Sequence, residues 1–298
     1  MKDRQLTINL RGQLMDLSQP RVMGILNATP DSFFESSRAQ TEQEIAERAN
    51  QIVAEGGEMI DVGAYSTRPG AAAVSEEEEM LRLRFALAIV RREQPESIIS
   101  VDTFRPQVAR MAVEEYGVDI INDVSGGNTQ GAFGGTVGNE TEEDPAMFRM
   151  VAALRVPYIY MSRANDVEPM LLDFARQVER LRSYGQKDII LDPGFGFGKT
   201  VEENYQVMAR LEQLAVMNLP LLVGVSRKSM IWRLLGTSPE EALNGTTVLN
   251  TVALQKGANI LRVHDVHEAV ECVKIVQQIN WTRASCLASD QRSSGSLV

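Results

Sequence analysis

The chain is poor in the residues that most often do chemistry at protein sites. Of its 298 residues only two are Cys, two are His and two are Trp. Cys272 and Cys286 stand too far apart for a zinc-ligand pair and are too few for a disulfide framework. A reduced, cytoplasmic protein is the expectation. With only His264 and His267, neither a His-rich metal centre nor a Ser-His-Asp triad is expected, and His267 is read as a solvent-facing residue in the first turn of a helix. Positive charge is also scarce. Thirty Lys+Arg against 40 Asp+Glu leave a net charge of −10, which argues against non-specific nucleic-acid binding. No apolar run approaches the length that would cross a membrane. Residues 1–5 lead straight into alternating residues with no apolar core, so no secretory signal is expected.

What is present is an alternation of short β-branched runs with longer helical ones. Eight candidate strands fall at 22–26, 59–62, 98–101, 119–124, 157–161, 188–191, 221–225 and 259–263. Most are nearly continuous apolar runs, as parallel strands covered by helices should be. Between them apolar residues recur at helical spacing. Ile45, Ala49, Ile52 and Val53 do so, as do Val207, Met208, Leu211, Leu214 and Ala215, and then Val266, Ala269, Val270 and Val273. Thr41 with Glu44, Ser75 with Glu78, and Ser238-Pro239-Glu240-Glu241 read as helix starts. The pattern predicts an α/β fold, a (β/α)8 TIM barrel, with a doubly wound open sheet as the rival. Residues 6–17 alternate around Gly12 and predict an N-terminal β-hairpin that plugs the bottom of the barrel. Residues 1–282 are read as one barrel domain and 283–298 as a loose, polar tail. Residues 126–144, rich in Gly, Asn, Thr and Glu, read as a long loop.

Polar residues fall where the strands end, the edge at which barrels carry their chemistry. The strand ends bring Asn27 and Asp31, then Asp61 through Arg68, Asp102-Thr103, Asn122-Asp123, Asp192 through Lys199, Ser226 through Ser229, and Arg262-Val263-His264-Asp265. Any one of these could be a helix cap; the set points to one pocket. Asp102, Asn122 and Asp192, arriving from different strands, suit a planar heterocycle rich in N–H donors, and Lys228 could donate to the same ring. Arg68, Arg262 and His264 supply cationic or imidazole donors, and Ser226–Ser229 open a helix, so an anionic ligand is expected. Asn27 and Asp31 are oxygen donors suited to Mg2+ carried by a phosphate. Three sharper motifs fail by one residue each. The phosphate loop ending Gly198-Lys199-Thr200 has Pro193 where it needs Gly. The dinucleotide fingerprint over Gly194 and Gly196 ends on Lys199. The elbow over Gly224 and Ser226 ends on Lys228.

Taken in order, these stretches resemble the dihydropteroate synthase family. The likeness is carried by Gly24 through Phe33, Ser66-Thr67-Arg68-Pro69-Gly70, Ser100-Val101-Asp102-Thr103, Asp192 through Thr200, and Gly224 through Ser229. Ile121 through Gly127 and Arg262 through Asp265 agree with it. The resemblance implies a pterin-binding barrel and a transferase of folate biosynthesis, a sulfonamide target. Its reaction would join 6-hydroxymethyl-7,8-dihydropterin diphosphate to 4-aminobenzoate, giving 7,8-dihydropteroate and diphosphate. It implies that Asp102, Asn122, Asp192 and Lys228 hold the pterin, and that Asn27, Arg262 and His264 handle the diphosphate, with Asn27 touching Mg2+. Phe33, Thr67, Arg68 and Pro69 would lie on two loops that close over the site. Phe197, Lys228 and Ser229 would border the aminobenzoate. Asp102, Asp192, Lys228, Arg262 and His264 are then the catalytic candidates. The family also suggests a homodimer.

The chain departs from the family pattern at Ala64-Tyr65, where Gly and an acidic or amide residue are usual, at Ser162-Arg163 after the fifth strand, where Met-His is common, and in the long 126–144 loop. Three rival readings stand beside this one. They are a folate-dependent methyltransferase on the same barrel, a Schiff-base aldolase using a Lys228 made neutral by burial or by Arg227, and an inactive pterin-binding paralogue.

Overall fold

The computed structural model describes residues 6–28, 38–64, 74–127 and 145–294, without the side chains of 38–40 and 283–294. The two N-terminal strands β1 (Thr7–Leu10) and β2 (Gln13–Asp16) pair antiparallel across a turn at Arg11 and Gly12, both at positive φ. Eight parallel strands follow: β3 (Arg21–Asn27), β4 (Met59–Gly63), β5 (Ile98–Asp102), β6 (Ile120–Asp123), β7 (Tyr158–Met161), β8 (Ile189–Asp192), β9 (Leu222–Val223) and β10 (Ile260–Val263). Each pairs with the next in chain order and β10 returns to β3. The ring closes between β8 and β9 through a bridge from Leu191 to Leu221. This is the expected TIM barrel, and the hairpin stands where the alternation placed it. The open-sheet rival fails on that closure.

The interleaved helices are α1 (Arg38–Ala54), α2 (Glu76–Glu93), α3 (Pro106–Tyr116), α4 (Ala146–Leu154), α5 (Val167–Ser183), α6 (Val201–Ala209), α7 (Ser229–Leu235), α8 (Leu243–Gln255) and α9 (Val266–Ser294). None among the described residues is long and apolar enough to cross a membrane. Three start and stop signals need correction. Thr41 lies inside α1, which begins at Arg38. Ser238–Glu241 form a separate turn, closed by the Glu241 N–H on the Ser238 carbonyl, and α8 begins at Leu243. The segment read as a loose tail continues α9 as far as Ser294; residues 283–294 contain neither Gly nor Pro, so nothing in them breaks a helix. Ser75 does cap α2, accepting from the Glu78 N–H at 3.2 Å. An unforeseen capping box starts α6, Thr200 with Glu203. The helical repeat from Val207 to Ala215 is divided at Arg210, where α6 gives way to a 3-10 helix, Leu211–Met217.

Continuous apolar strands serve two cores at once, because successive side chains face opposite ways. Val22, Leu26, Ile60, Val62, Ile99, Val101, Ile121, Leu261 and Val263 face outward and pack with the helices. Met23, Met59, Ile120, Ile159, Ile190, Leu222 and Ile260 fill the lower interior together with Ile8, Leu10 and Leu17 from the hairpin region. The hairpin is pinned there by the Asn9 N–H on Asp188 (3.0 Å), by Arg11 on Asp119, and by Asn259 on the Leu17 carbonyl (2.8 Å). The bottom of the barrel is thus sealed with apolar side chains, and polar groups are left to the top.

At Gly24 the first helix approaches its strand so closely that an added Cβ would stand 2.6 Å from Ile52 Cγ2. Gly24→Ala is therefore expected to cost about 1–3 kcal/mol by overpacking, read as a lower urea midpoint with an unchanged slope; an unchanged midpoint would contradict the close approach.

Candidate active site

Strand register brings the polar ends together. Asn27 pairs with Gly63, Gly63 with Asp102, and Asp102 with Asn122, so these residues share one inward-facing layer. Gly63 leaves room in it: a Cβ there would lie 3.5 Å from Asp102 Cβ and 3.9 Å from Asn27 Oδ1. Asp61, two residues earlier on β4, faces the same way one layer deeper and is fully buried.

Arg262 ties these layers together. Its Nε donates to Asp61 Oδ2 at 2.6 Å and its Nη2 to Asp102 Oδ2 at 3.0 Å. Asn122 donates from Nδ2 to the same Asp61 oxygen at 3.1 Å. Burial pushes the Asp102 carboxyl up to about 7; Arg262 opposes the shift and Asp61 adds to it. Burial also raises Asp192, against the pull of Lys228.

The β8–α6 loop carries the second half of the site. The Gly194 N–H donates to Asp192 Oδ1 at 2.7 Å, and the Gly196 N–H to the buried Asn204 Oδ1 at 2.7 Å. The Lys228 stem packs across Gly196 (φ +78°), where a Cβ would meet Lys228 Cδ at 2.8 Å. Lys228 Nζ donates to the Phe195 carbonyl and lies 4.5 Å from the centroid of the Phe197 ring. Phe197 itself packs on Val124 and Met161. Burial lowers Lys228 to about 8, held up by Asp192 and pushed further down by Arg262 and Lys199. Arg227 has no part in this. It sits at φ +53°, and its guanidinium turns away to Asp265, with bonds of 2.9 and 2.8 Å. Lys228 stands at the residue before the short α7, whose first residue is Ser229, and makes no side-chain cap bond there.

His264 packs beside Ser226, whose Oγ accepts the His264 backbone N–H at 3.1 Å and lies 3.0 Å from Nδ1. Burial, with Arg262 next, lowers the imidazole to about 4. His264 is therefore neutral at pH 7.

The structure thus gathers Asp102, Asn122, Asp192, Lys228 and Arg262, with Asn27 and Phe197 beside them, while His264 adjoins through Ser226 on the neighbouring loop. Phe33, Thr67, Arg68, Pro69, Asp31 and most of the 126–144 loop lie outside the described residues. Ser162, at the departure after the fifth strand, is buried and donates to Asp173 at 2.6 Å, with Tyr160 on the same carboxylate. Two residues escaped the sequence reading as site members. Asp61 stood among the polar residues at the strand ends but was given no role. Lys199 was set aside with a failed phosphate loop, yet its half-buried ammonium, lowered to about 8, donates to the Gly194 carbonyl at 3.0 Å.

A parallel barrel whose carboxyl rim holds carboxylates, an amide and an arginine in one hydrogen-bonded layer defines a pterin-binding enzyme, and residues 23–264 match the family described as pterin binding enzyme. The dihydropteroate synthase of Escherichia coli (strain K12) is 40% identical over 274 residues, 90% of this chain and 94% of that one. Among solved structures, Xanthomonas albilineans dihydropteroate synthase with 4-aminobenzoic acid superposes with a TM-score of 0.78 at 34% identity, covering 93% of this chain and 98% of that one. The Yersinia pestis dihydropteroate synthase with a sulfonamide drug gives 0.79 at 32%, covering 93% and 100%. The chain belongs to the dihydropteroate synthase family.

The His264 shift has a signed consequence for stability. Its folded value, about 4, lies below the unfolded 6.5, so the unfolded chain binds more protons between them and stability falls as pH drops from about 6.5 toward 4. His264→Asn is expected to flatten that part of the stability curve, measured by urea unfolding at pH 4.5 and 7; an equal loss in both proteins would contradict a buried neutral imidazole.

Proposed function

We propose that the chain is a dihydropteroate synthase in activity as well as family, joining 6-hydroxymethyl-7,8-dihydropterin diphosphate to 4-aminobenzoate with release of diphosphate. The observation that carries the reading is the Asp102–Arg262–Asp61–Asn122 network, which places hydrogen-bond acceptors for a flat, N–H-rich heterocycle directly beside a guanidinium for its anionic group.

In this reading Asp102, Asn122 and Asp192 accept from the pterin, and Lys228 donates to it. Arg262 and the neutral His264 imidazole face the diphosphate. The bond between the exocyclic methylene carbon and its oxygen breaks, and the electron pair leaves with diphosphate, whose charge Arg262 meets. Asp102 and Asp192 stabilise the positive charge left on the pterin side. The aryl amine then forms the new C–N bond and sheds one proton. No protein nucleophile is needed, and Phe197, against the Lys228 ammonium, borders the amine's approach.

Mg2+ is read as an ion brought by the substrate. Asn27 offers an exposed amide oxygen at the rim, and no group of three His, Cys, Asp or Glu able to hold a metal occurs among the described residues. One neutral oxygen suits an ion whose remaining positions are filled by phosphate and water. When bound, it neutralises charge on the departing oxygens. Phe33, Thr67, Arg68 and Pro69 are proposed to close over the site, and Ser229 to border the aminobenzoate. The reading extends to a cytoplasmic homodimer. It is supported by the free Cys272 thiol and by the exposed apolar Val248 of α8 and Ile275 and Ile279 of α9.

Diphosphate release with both substrates and Mg2+ tests the activity. It is expected to need all three; methyl transfer without diphosphate would favour the methyltransferase, binding without turnover the inactive paralogue, and borohydride trapping of a carbonyl substrate on Lys228 the aldolase. Because Lys228 donates only as the ammonium, kcat/KM for the pterin substrate is expected to fall as pH rises through about 8. Lys228→Met should lose roughly 10- to 100-fold in kcat/KM and show no such limb; a limb that persists in the variant would assign it elsewhere.

A further inference from the structure

The proposed reaction gives Asp61 itself no role, yet two side chains that have one depend on it. It is fully buried inside the barrel, and its Oδ2 accepts both Arg262 Nε at 2.6 Å and Asn122 Nδ2 at 3.1 Å. A carboxylate paired with a guanidinium can only accept. The Asn122 amide must therefore present its NH2 face to Asp61, which directs Oδ1 the other way. That Oδ1 is buried and has no hydrogen-bond partner among the described residues. A buried acceptor without a partner is costly unless something supplies a donor.

The same carboxylate sets Arg262. With Nε on Asp61 and Nη2 on Asp102, the guanidinium plane is fixed at two of its nitrogens, and among the described residues Nη1 is left to meet an anion. One side chain thus sets the donor–acceptor polarity of the heterocycle subsite and the direction of the anion donor.

We propose that Asp61 is a positioning residue that orients the Asn122 amide, so that this site selects a ring N–H at that position, and that aims the Arg262 guanidinium at the anionic group. The inference rests on the function proposed above and goes beyond it by naming the residue that decides how the ring is read.

The test uses the full chain, with 6-hydroxymethylpterin and inorganic diphosphate each titrated by calorimetry, beside steady-state kinetics. Asp61→Ala is expected to weaken 6-hydroxymethylpterin at least 10-fold and to raise KM for the pterin substrate similarly, while KM for 4-aminobenzoate stays within about 2-fold. Asp61→Asn keeps an acceptor oxygen where Asn122 and Arg262 meet it, and should recover pterin affinity to within about 3-fold of the wild type. A role confined to folding would instead lower the active fraction and leave both KM values unchanged. Should Asp61→Ala not fold, Asn122→Asp carries the test. It keeps an acceptor toward the ring but sets two carboxylates against each other, and should weaken 6-hydroxymethylpterin at least 10-fold. If a folded Asp61→Ala, or Asn122→Asp in its place, binds 6-hydroxymethylpterin as the wild type does, the proposal is wrong. If the wild type binds neither probe, it is the proposed function that fails.

Discussion

The site depends on a guanidinium held inside the barrel between two carboxylates. An isolated charge at that depth would be expensive, and a buried pair recovers the cost only when its geometry is good and the remaining polar atoms are satisfied. Arg262 meets Asp61 and Asp102 through two different nitrogens, and Asn122 shares the Asp61 oxygen. Three strands, β4, β5 and β10, are thereby joined across the barrel mouth, with β6 entering through the amide. The arrangement defines a specific geometry more than it adds stability. The unpartnered Asp61 Oδ1, Ser100 Oγ and Asn122 Oδ1 show that its hydrogen bonding is incomplete among the described residues.

That polar interior exists because the apolar work is done elsewhere. Outward-facing strand residues pack with the helices, and the lower interior is filled by methionine, isoleucine and leucine together with the hairpin's Ile8 and Leu10. The barrel can then afford carboxylates and an amide in its upper layers. The loop after β8 repeats the logic at the rim. Its backbone N–H groups are taken up by Asp192 and Asn204, and Lys199 holds its carbonyl side. The Lys228 stem can therefore lie across Gly196 and carry its ammonium to Phe195 and Phe197.

The sequence made the barrel readable because eight apolar runs alternate with helical periods, and a parallel sheet covered on both faces leaves that trace. The site was readable in part, through polar residues at strand ends. Asp61 was placed among the strand ends but given no role, because it acts through Arg262 and Asn122 and adjacency in sequence shows neither contact. Lys199 was given no role because it was weighed only as the end of motifs that fail by one residue, whereas its ammonium holds the Gly194 carbonyl of its own loop. The Arg227 expectation failed for a local reason. The left-handed backbone at that residue swings its side chain toward Asp265, so sequence adjacency to Lys228 gave no proximity between the charged groups. Helix starts at Thr41 and Ser238 misled because a cap signature is a local preference that a short turn or a helix interior can also satisfy.

The charges at the rim explain how an acidic chain can receive an anion. Arg262, Lys228 and Lys199 stand against Asp61, Asp102 and Asp192, so the interior is close to balanced although the whole chain carries −10. Burial raises the Asp102 carboxyl to about 7 and Arg262 pulls against that rise, so the guanidinium that can meet an anion is also the group that helps Asp102 ionise as an acceptor.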